Sequence, residues 1–227
     1  MLTLYIGNKN TSSWSLRPWL AMQVLGIPFQ EVQLRFDDFA PQSPFKRTLL
    51  ALAPTGQVPL LVDKGFAVWD SLAIAEYLHE RHPDAGVWPQ AMADRARARS
   101  LCAEMHSGLS ALRQHCPMNI QTAQPARGQQ IWAAQAAVRT DVQRIVAMWR
   151  EQLATHGGPF LFGRFGMVDA FFAPVCLRLH GYGLPVPTQV HAYIERILAL
   201  PALQQWCAAA AVEQDLRQLT TPPHPRP

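Results

Sequence analysis

Four small hydroxyl residues lie within five positions near the start of the chain, in the stretch NKNTSSWSLRPWL. They are Thr11, Ser12, Ser13 and Ser15, and Arg17 follows them. A short apolar run before the stretch predicts a strand, and an apolar-periodic segment after it predicts a helix. Small hydroxyl residues favour turns and helix caps, so one interpretation is structural, with Ser15 as the N-cap. The other is that a hydroxyl at the helix N-terminus donates a hydrogen bond to a ligand.

Two other short segments carry residues that could bind a ligand. Asp70 and Ser71 directly precede an apolar helical segment. An Asp at an N-cap is common without any ligand, but a helix N-terminus with a Ser hydroxyl is also an anion-binding site. Pro59 stands at the start of a predicted strand in QVPLLV, where a missing ladder N–H is tolerated. Base rates alone favour an ordinary trans bond between Val58 and Pro59.

The elements that must position these residues follow the order β-α-β-α-β-β-α. Residues 2–6 and 29–36 are predicted to be strands, and residues 15–25 a helix with Pro18 in its first turn. A short helix, a hairpin around Asp63-Lys64-Gly65 and a helix that begins at Asp70 complete the unit. The first crossover implies parallel strands and the hairpin antiparallel ones, so an α/β unit with a mixed sheet is predicted.

The pattern changes after residue 82. The segment PDAGVWP predicts a linker over residues 83–89. Long helices are then predicted over 90–115 and 126–154, and shorter ones near 167–180, 188–199 and 202–215. The Pro-rich tail TTPPHPRP predicts a frayed end. The sequence therefore predicts an α/β domain over residues 1–82 and an all-helical domain over residues 90–227, with no internal repeat.

Composition is that of a globular protein, with 49% hydrophobic and 16% charged residues among 227. The formal net charge is only +4, and the basic cluster DRARARS alternates with Ala, which is typical of a solvated helix face. Too few aromatic residues are interleaved with basic ones to favour a nucleic-acid partner. No run approaches the roughly 18 apolar residues of a membrane span, and the N-terminus lacks the pattern of a signal peptide.

Cysteine usage points to a reducing compartment. Cys102, Cys116, Cys176 and Cys207 are scattered without a close pair, so we expect reduced thiols in a cytoplasmic protein. No His/Cys spacing resembles a zinc site, and no metal is expected. Dithiol exchange needs Cys-x-x-Cys, whereas this chain has Ser12-Ser13-Trp14-Ser15 at the corresponding place. Oxygen cannot form a mixed disulfide, so disulfide exchange through this motif is excluded.

This element order, together with four segments, resembles the soluble glutathione transferase family over nearly the whole chain. The segments are SSWSLRPWLAMQVLGI, APTGQVPLLV, VWDSLAIAEYL and FGMVDAFFAPV. The first looks most like the zeta-type and related bacterial serine-class members, which carry a Ser-Ser-Cys-Ser-type stretch; here Trp14 replaces the Cys. The resemblance implies a thioredoxin-like N-terminal domain followed by an all-helical domain. It also implies glutathione as cosubstrate and a small electrophile as the second substrate.

The resemblance places activation of the glutathione thiol on Ser12, with Ser13 nearby as support for glutathione binding. A free thiol has a pKa of about 8.5, and lowering it by about two units needs about 2.7 kcal/mol. A hydroxyl that donates to the sulfur, together with the partial positive charge of a helix N-terminus, can supply that amount. Ser15 then fits as the helix cap and Arg17 as a nearby cation.

The remaining glutathione contacts also follow from the resemblance. Pro59 is cis in the family, and Val58 pairs its backbone with the cysteinyl unit of the tripeptide. Ser71 holds the γ-glutamyl carboxylate, and Asp70 stands where the family often has Glu or Gln facing the amino group.

Two features of the helical half are implied in the same way. The electrophile pocket is expected between the domains, with His106, Arg113 and Arg178 as candidates, and with Met118 and Tyr182 near them. In FGMVDAFF, Gly166 replaces the Ser or Thr of a buried capping motif, and Asp169 still accepts from main-chain N–H groups. This second motif is assigned to folding.

Three functions stay open at this point. The leading one is a glutathione transferase that attacks a small hydrophobic electrophile. A zeta-type, glutathione-dependent cis–trans isomerase of the maleylacetoacetate kind is the second, and Trp14 in place of Cys argues against it. A noncatalytic glutathione-binding regulatory protein is the third, which Ser12 with the Val58-Pro59 and Asp70-Ser71 pairs argues against. A homodimer with a two-fold axis is expected.

Overall fold

The computed structural model describes residues 1–36, 40 and 42–213. The N-terminal part holds a four-stranded sheet in the order β2-β1-β3-β4, with β1 and β2 parallel and the other pairs antiparallel. Its elements are β1 (Leu2–Ile6), α1 (Ser13–Val24), β2 (Phe29–Gln33), α2 (Pro44–Leu50), β3 (Leu60–Asp63), β4 (Phe66–Trp69) and α3 (Ser71–Arg81). The predicted element order and mixed sheet are confirmed.

Side-chain alternation in the strands explains the layers of this unit. Leu60 and Leu61 are neighbours in β3, so they point to opposite faces of the sheet. Leu61 belongs to the large core that includes α1 and α3, whereas Leu60 packs with Phe45 and Leu49 of α2. The sheet is therefore covered on both faces.

The helical part contains α4 (Met92–Ser107), α5 (Ser110–His115), α6 (Pro125–Ala134), α7 (Ala136–His156), α8 (Met167–Gly181), α9 (Thr188–Leu198) and α10 (Pro201–Ala211). The predicted fold class, an α/β unit followed by an all-helical unit, is confirmed. One core runs from β1 through α1 to α8 and α10. The boundaries at residues 82 and 90 stay a prediction, and the predicted frayed tail lies outside the described residues.

The prediction of two long continuous helices is wrong, because each segment is divided into two helices. The first is divided between α4 and α5, where Gly108 is extended and Leu109 has a φ of +52°. The second is divided between α6 and α7 at Gln135, which has non-helical dihedrals. Arg139 donates to the carbonyls of Trp132 and Ala133, which lie at the interrupted end of α6. This side chain satisfies acceptors that a continuous helix would have paired internally.

The predicted N-cap of α1 is also wrong by three residues. Ser12, not Ser15, occupies the N-cap position, and Ser15 is a buried residue of the first turn. Pro18 consequently lies inside the helix rather than in its first turn. Ser15 is used by tertiary structure instead, because the N–H of Gly7 at the end of β1 donates to its hydroxyl. This bond joins the strand to the helix that follows it.

The start of α8 is built around Asp169, as expected. Its carboxylate accepts from the N–H groups of Leu161 and Gly166 at 3.1 and 3.0 Å, and from the Tyr193 hydroxyl at 2.9 Å. Burial raises the pKa of Asp169 to about 6 even so. A Cβ on Gly166 would lie 3.3 Å from the Val87 carbonyl oxygen, so a larger residue would fit here only with a small shift of its neighbours.

Candidate functional site

A cavity of about 1060 Å³ opens where the start of α1, the loop before β3, the start of α3 and the end of α4 meet. Six of the predicted site residues line it: Ser12, Val58, Pro59, Asp70, Ser71 and His106. They come from four separate segments of the chain. The fold therefore brings the hydroxyl, the strand-opening proline and the acidic helix start to one place.

Ser12 lies at the N-terminal end of α1 and is 6% exposed. Its Oγ is 2.7 Å from the Oγ of Ser15, which accepts from the Gly7 N–H at 3.1 Å. No acidic residue occupies the first turn of α1, so the partial positive charge of the helix end is not neutralised locally. A hydroxyl in this setting can donate to an anion in the cavity.

Asp70 is the N-cap of α3, and its Oδ1 accepts from the N–H of Leu72 at 2.7 Å. Its φ is +73°, a region that non-glycine residues rarely occupy and that recurs at functional sites. The other carboxylate oxygen, Oδ2, is 3.3 Å from Nε2 of His106. The Ser71 hydroxyl accepts from Arg17 at 3.4 Å. A second helix N-terminus with an acceptor and a hydroxyl thus faces the cavity.

The Val58–Pro59 bond is cis, as predicted. Next to it, Gly56 and Gln57 line the cavity, and the Gly56 carbonyl accepts from Nζ of Lys46 at 2.8 Å. Lys46 therefore places a positive charge at the side of the cavity formed by α2.

Trp14 lines the cavity on the α4 side and packs edge-to-face against His106, with ring centroids 4.9 Å apart. The Arg17 guanidinium lies 3.9 Å from the centre of the Trp14 ring. Arg17 is 1% exposed, and burial, followed by the charges of Arg178 and Arg113, lowers its pKa to about 9. Burial also lowers the pKa of His106, although Asp70 opposes that shift.

Three predicted site residues do not line the cavity. The Ser13 hydroxyl lies 3.5 Å from the Arg178 guanidinium, away from Ser12. Arg178 is buried, and it donates to the carbonyls of Cys116 and Pro174. Arg113 stands behind Trp14, 5.7 Å from its ring, and donates to the His106 carbonyl. The structure thus groups Ser13, Arg113 and Arg178 in the wall of the site rather than on its surface.

The sequence reasoning missed several residues that line the cavity, among them Thr11, Trp14, Lys46, Gln57 and Trp69. Thr11 and Gln57 adjoin predicted residues, so their neighbourhood was available as a signal. No local sequence signal indicates Lys46, because its position at the cavity depends on how α2 packs against the loop at Gly56.

The described residues offer neither a metal site nor a membrane-spanning helix. Within residues 1–36, 40 and 42–213, no group of His, Cys, Asp and Glu side chains could hold a metal ion. None of the helices in that part of the chain is both long and apolar enough to cross a membrane. Cys102, Cys116 and Cys176 are buried free thiols, and Cys207 is a half-buried one.

Two family models match the chain. Residues 11–81 match the model described as glutathione S-transferase, N-terminal domain, and residues 133–209 match glutathione S-transferase, C-terminal domain. The first match contains the α1 hydroxyls, Val58-Pro59 and Asp70-Ser71.

Individual proteins that are similar to this chain carry names consistent with the two family models. A glutathione S-transferase-like protein, OpS6 of Beauveria bassiana, is 27% identical over 78% of this chain and 79% of its own length. A maleylacetoacetate isomerase of Rattus norvegicus is 29% identical over 96% of this chain and 94% of its own. A crystal structure of a glutathione transferase homologue from Burkholderia gl BGR1, with bound glutathione, superposes with a TM-score of 0.67 at 25% identity, covering 92% of this chain and 97% of that one.

Proposed function

The chain belongs to the glutathione S-transferase family, and we propose that it activates the glutathione thiol at Ser12 for attack on a small hydrophobic electrophile. As a member of this family it is an enzyme with glutathione as its cosubstrate. The observation that carries the proposal is the meeting of Ser12, Val58-Pro59 and Asp70-Ser71 in one cavity with two helix N-termini.

The γ-glutamyl end of glutathione is assigned to α3. Its carboxylate accepts from the Ser71 hydroxyl and the helix N-terminus, and its ammonium group faces the Asp70 carboxylate. The buried Arg17, which donates to Ser71, adds a positive charge behind the bound carboxylate. The cysteinyl unit pairs with the backbone of Val58, and the glycyl carboxylate lies toward Lys46.

With the tripeptide held in this way, its sulfur lies near Ser12. The thiol proton passes to water, and the resulting thiolate accepts a hydrogen bond from the Ser12 hydroxyl at the positive end of α1. The thiolate then forms a bond to the electrophilic carbon, and the leaving group departs with its electron pair. Lowering the thiol pKa by about two units requires about 2.7 kcal/mol of preferential stabilisation of the thiolate.

The electrophile is assigned to the side of the cavity bounded by Trp14 and His106. Arg113 and Arg178 are assigned to the layer behind this pocket, where they place positive charge. The Arg113 guanidinium lies 5.7 Å from the centre of the Trp14 ring, and Arg178 is buried. For Ser13 the geometry favours support of the α1 start through Arg178, rather than direct contact with the tripeptide.

Isomerase activity is the second candidate, and the observation that favours it is the likeness to a maleylacetoacetate isomerase over 96% of the chain. An isomerase adds the thiolate to an activated double bond and then eliminates it, so glutathione is regenerated. We also propose a cytoplasmic homodimer. Strand β4 lies at one edge of the described sheet, and this edge is the surface assigned to the partner.

Retention on immobilised glutathione, followed by an assay with an aryl halide and an assay with an activated cis-alkene, tests the proposal. A transferase consumes one glutathione for each halide released, whereas an isomerase converts many alkenes without net loss of glutathione. Retention without either reaction would support the noncatalytic alternative instead. Absence of retention would refute the assigned binding site.

A further inference from the structure

The hydroxyls of Ser12 and Ser15 share a hydrogen bond, and the Ser15 oxygen is also bonded by a third group, the backbone N–H of Gly7. Their oxygens are 2.7 Å apart, and the Ser15 oxygen also accepts from the Gly7 N–H at 3.1 Å. Ser15 is 0% exposed, so water does not compete for its hydrogen bonds. The Gly7 N–H is a backbone donor and cannot reverse its direction.

Each hydroxyl has a single proton, so either Ser12 or Ser15 is the donor of the hydrogen bond between them. If Ser12 donates to Ser15, its proton is used and cannot reach a thiolate in the cavity. If Ser15 donates to Ser12, the Ser12 proton is free to point at the sulfur. A bound thiolate selects the second arrangement, because only that one gives it a hydrogen bond.

We propose that Ser15 is a positioning residue that relays polarisation from the Gly7 N–H to the Ser12 hydroxyl. The relay runs from the backbone N–H to Ser15, from Ser15 to Ser12, and from Ser12 to the thiolate. All donors then point the same way, and bonds in such a chain strengthen one another. This inference rests on the proposed role of Ser12, which it deepens.

The backbone geometry holds the first link in place. Gly7 directly follows β1, and a Cβ at that position would lie 2.2 Å from the Phe36 ring. Any side chain here would therefore force the Phe36 ring to move. In addition, the Leu34 N–H donates to the Ile6 carbonyl, which fixes the peptide that carries the Gly7 N–H. Ser15 therefore accepts from a donor that the hydrogen bond between Leu34 and Ile6 keeps in place.

The expected effects differ between the two serines. Ser12→Ala removes the donor to the sulfur, so the pKa of bound glutathione returns toward about 8.5. Ser15→Ala leaves the Ser12 hydroxyl but removes its polarisation and orientation, so the pKa rises by only about 0.5 to 1 unit. Below that pKa the thiolate fraction, and with it the conjugation rate, falls about three- to tenfold.

The experiment is an ultraviolet titration of thiolate in the glutathione complex of the full-length protein. The variants are Ser12→Ala, Ser15→Ala and the double variant, with Ser100→Ala, an exposed serine of α4 outside the cavity lining, as the control. Because Ser15→Ala leaves the buried Gly7 N–H without a partner, Ser15→Thr and Ser15→Cys are measured as well. Thr keeps the hydroxyl and should restore the wild-type pKa, whereas Cys, a weak donor, should not.

The relay predicts that Ser15→Ala raises the pKa in the wild-type background and has no further effect when Ser12 is already Ala. An equal rise in both backgrounds would overturn the relay, because Ser15 would then act without Ser12. A rise with Ser12→Ala but none with Ser15→Ala or Ser15→Cys would overturn the relay and leave the role of Ser12 intact. No rise with Ser12→Ala would refute the proposed role of Ser12 itself.

Discussion

Replacing Asp70 by Asn separates two tasks of this side chain. Its Oδ1 caps α3 by accepting from the Leu72 N–H, and its charge is assigned to the ammonium group of glutathione. The Asn side chain keeps a cap acceptor, so α3 should lose only a few tenths of a kcal/mol. The charge is lost, and binding should weaken.

The size of the loss follows from the environment of Asp70. A hydrogen bond to a charged group contributes about 1.5–3 kcal/mol. The Asp70 side chain is 43% exposed, so solvent screening places the effect near the lower limit, which is about a tenfold rise in the glutathione Kd. Ser71→Ala should add a smaller loss, since one neutral hydroxyl contributes about 1 kcal/mol.

Calorimetry with glutathione measures both variants, and Glu76→Gln provides the control. Glu76 lies on the same helix and pairs with Arg99, away from the cavity lining. Its replacement should leave the Kd unchanged. An unchanged Kd for a folded Asp70→Asn, Ser71→Ala double variant would refute the assignment of the γ-glutamyl end to α3.

Three further predictions concern other parts of the chain. Glu213→Ala removes the acceptor of the Lys9 and Asn10 N–H groups and should lower the melting temperature by roughly 5 °C, whereas Glu195→Ala on the surface should leave it unchanged. Lys46→Ala should raise the KM for glutathione several-fold but leave that for γ-glutamylcysteine, which lacks the glycyl carboxylate, unchanged. The folded pKa of Asp169 is raised from 3.8 to about 6. The contribution of the protonated side chain to the free energy of unfolding is therefore complete below about pH 4 and is lost as the pH rises through 6. Urea titrations should show this loss, at most about 3 kcal/mol, and Asp169→Asn should abolish that part of the pH dependence; a flat wild-type profile would contradict it.

The parts of the fold that sequence could predict are those set by local patterns. Alternating strands, the hairpin around Asp63-Lys64-Gly65 and the acidic start of α3 all carry their information within a few residues. The grouping of Ser12, Val58-Pro59 and Asp70-Ser71 was implied by the family resemblance and not by local patterns. The structure places these residues where β1 ends, β3 begins and β4 ends, at one end of the paired strands.

The parts that sequence could not predict depend on residues far apart in the chain. Ser15 is a residue type favoured at helix caps, but its hydroxyl accepts from the Gly7 N–H, and Ser12 occupies the N-cap position. Ser13 faces Arg178, which is 165 residues away. The tight contact that a Cβ on Gly166 would make with the Val87 carbonyl is not visible in the capping motif itself. In each case a tertiary contact overrides a local preference.

The pH dependence of kcat/KM with an aryl halide, for the wild type and for Ser12→Ala, tests the central claim most directly. Activation of the thiol by Ser12 predicts a wild-type kinetic pKa well below about 8.5, a rise toward that value in Ser12→Ala, and a rate loss at neutral pH of about tenfold for each 1.36 kcal/mol lost. The affinity for glutathione should change little, because the neutral thiol needs the donor less than the thiolate does. Identical pH profiles for the two proteins, with Ser12→Ala folded and still binding glutathione, would contradict hydroxyl activation by Ser12.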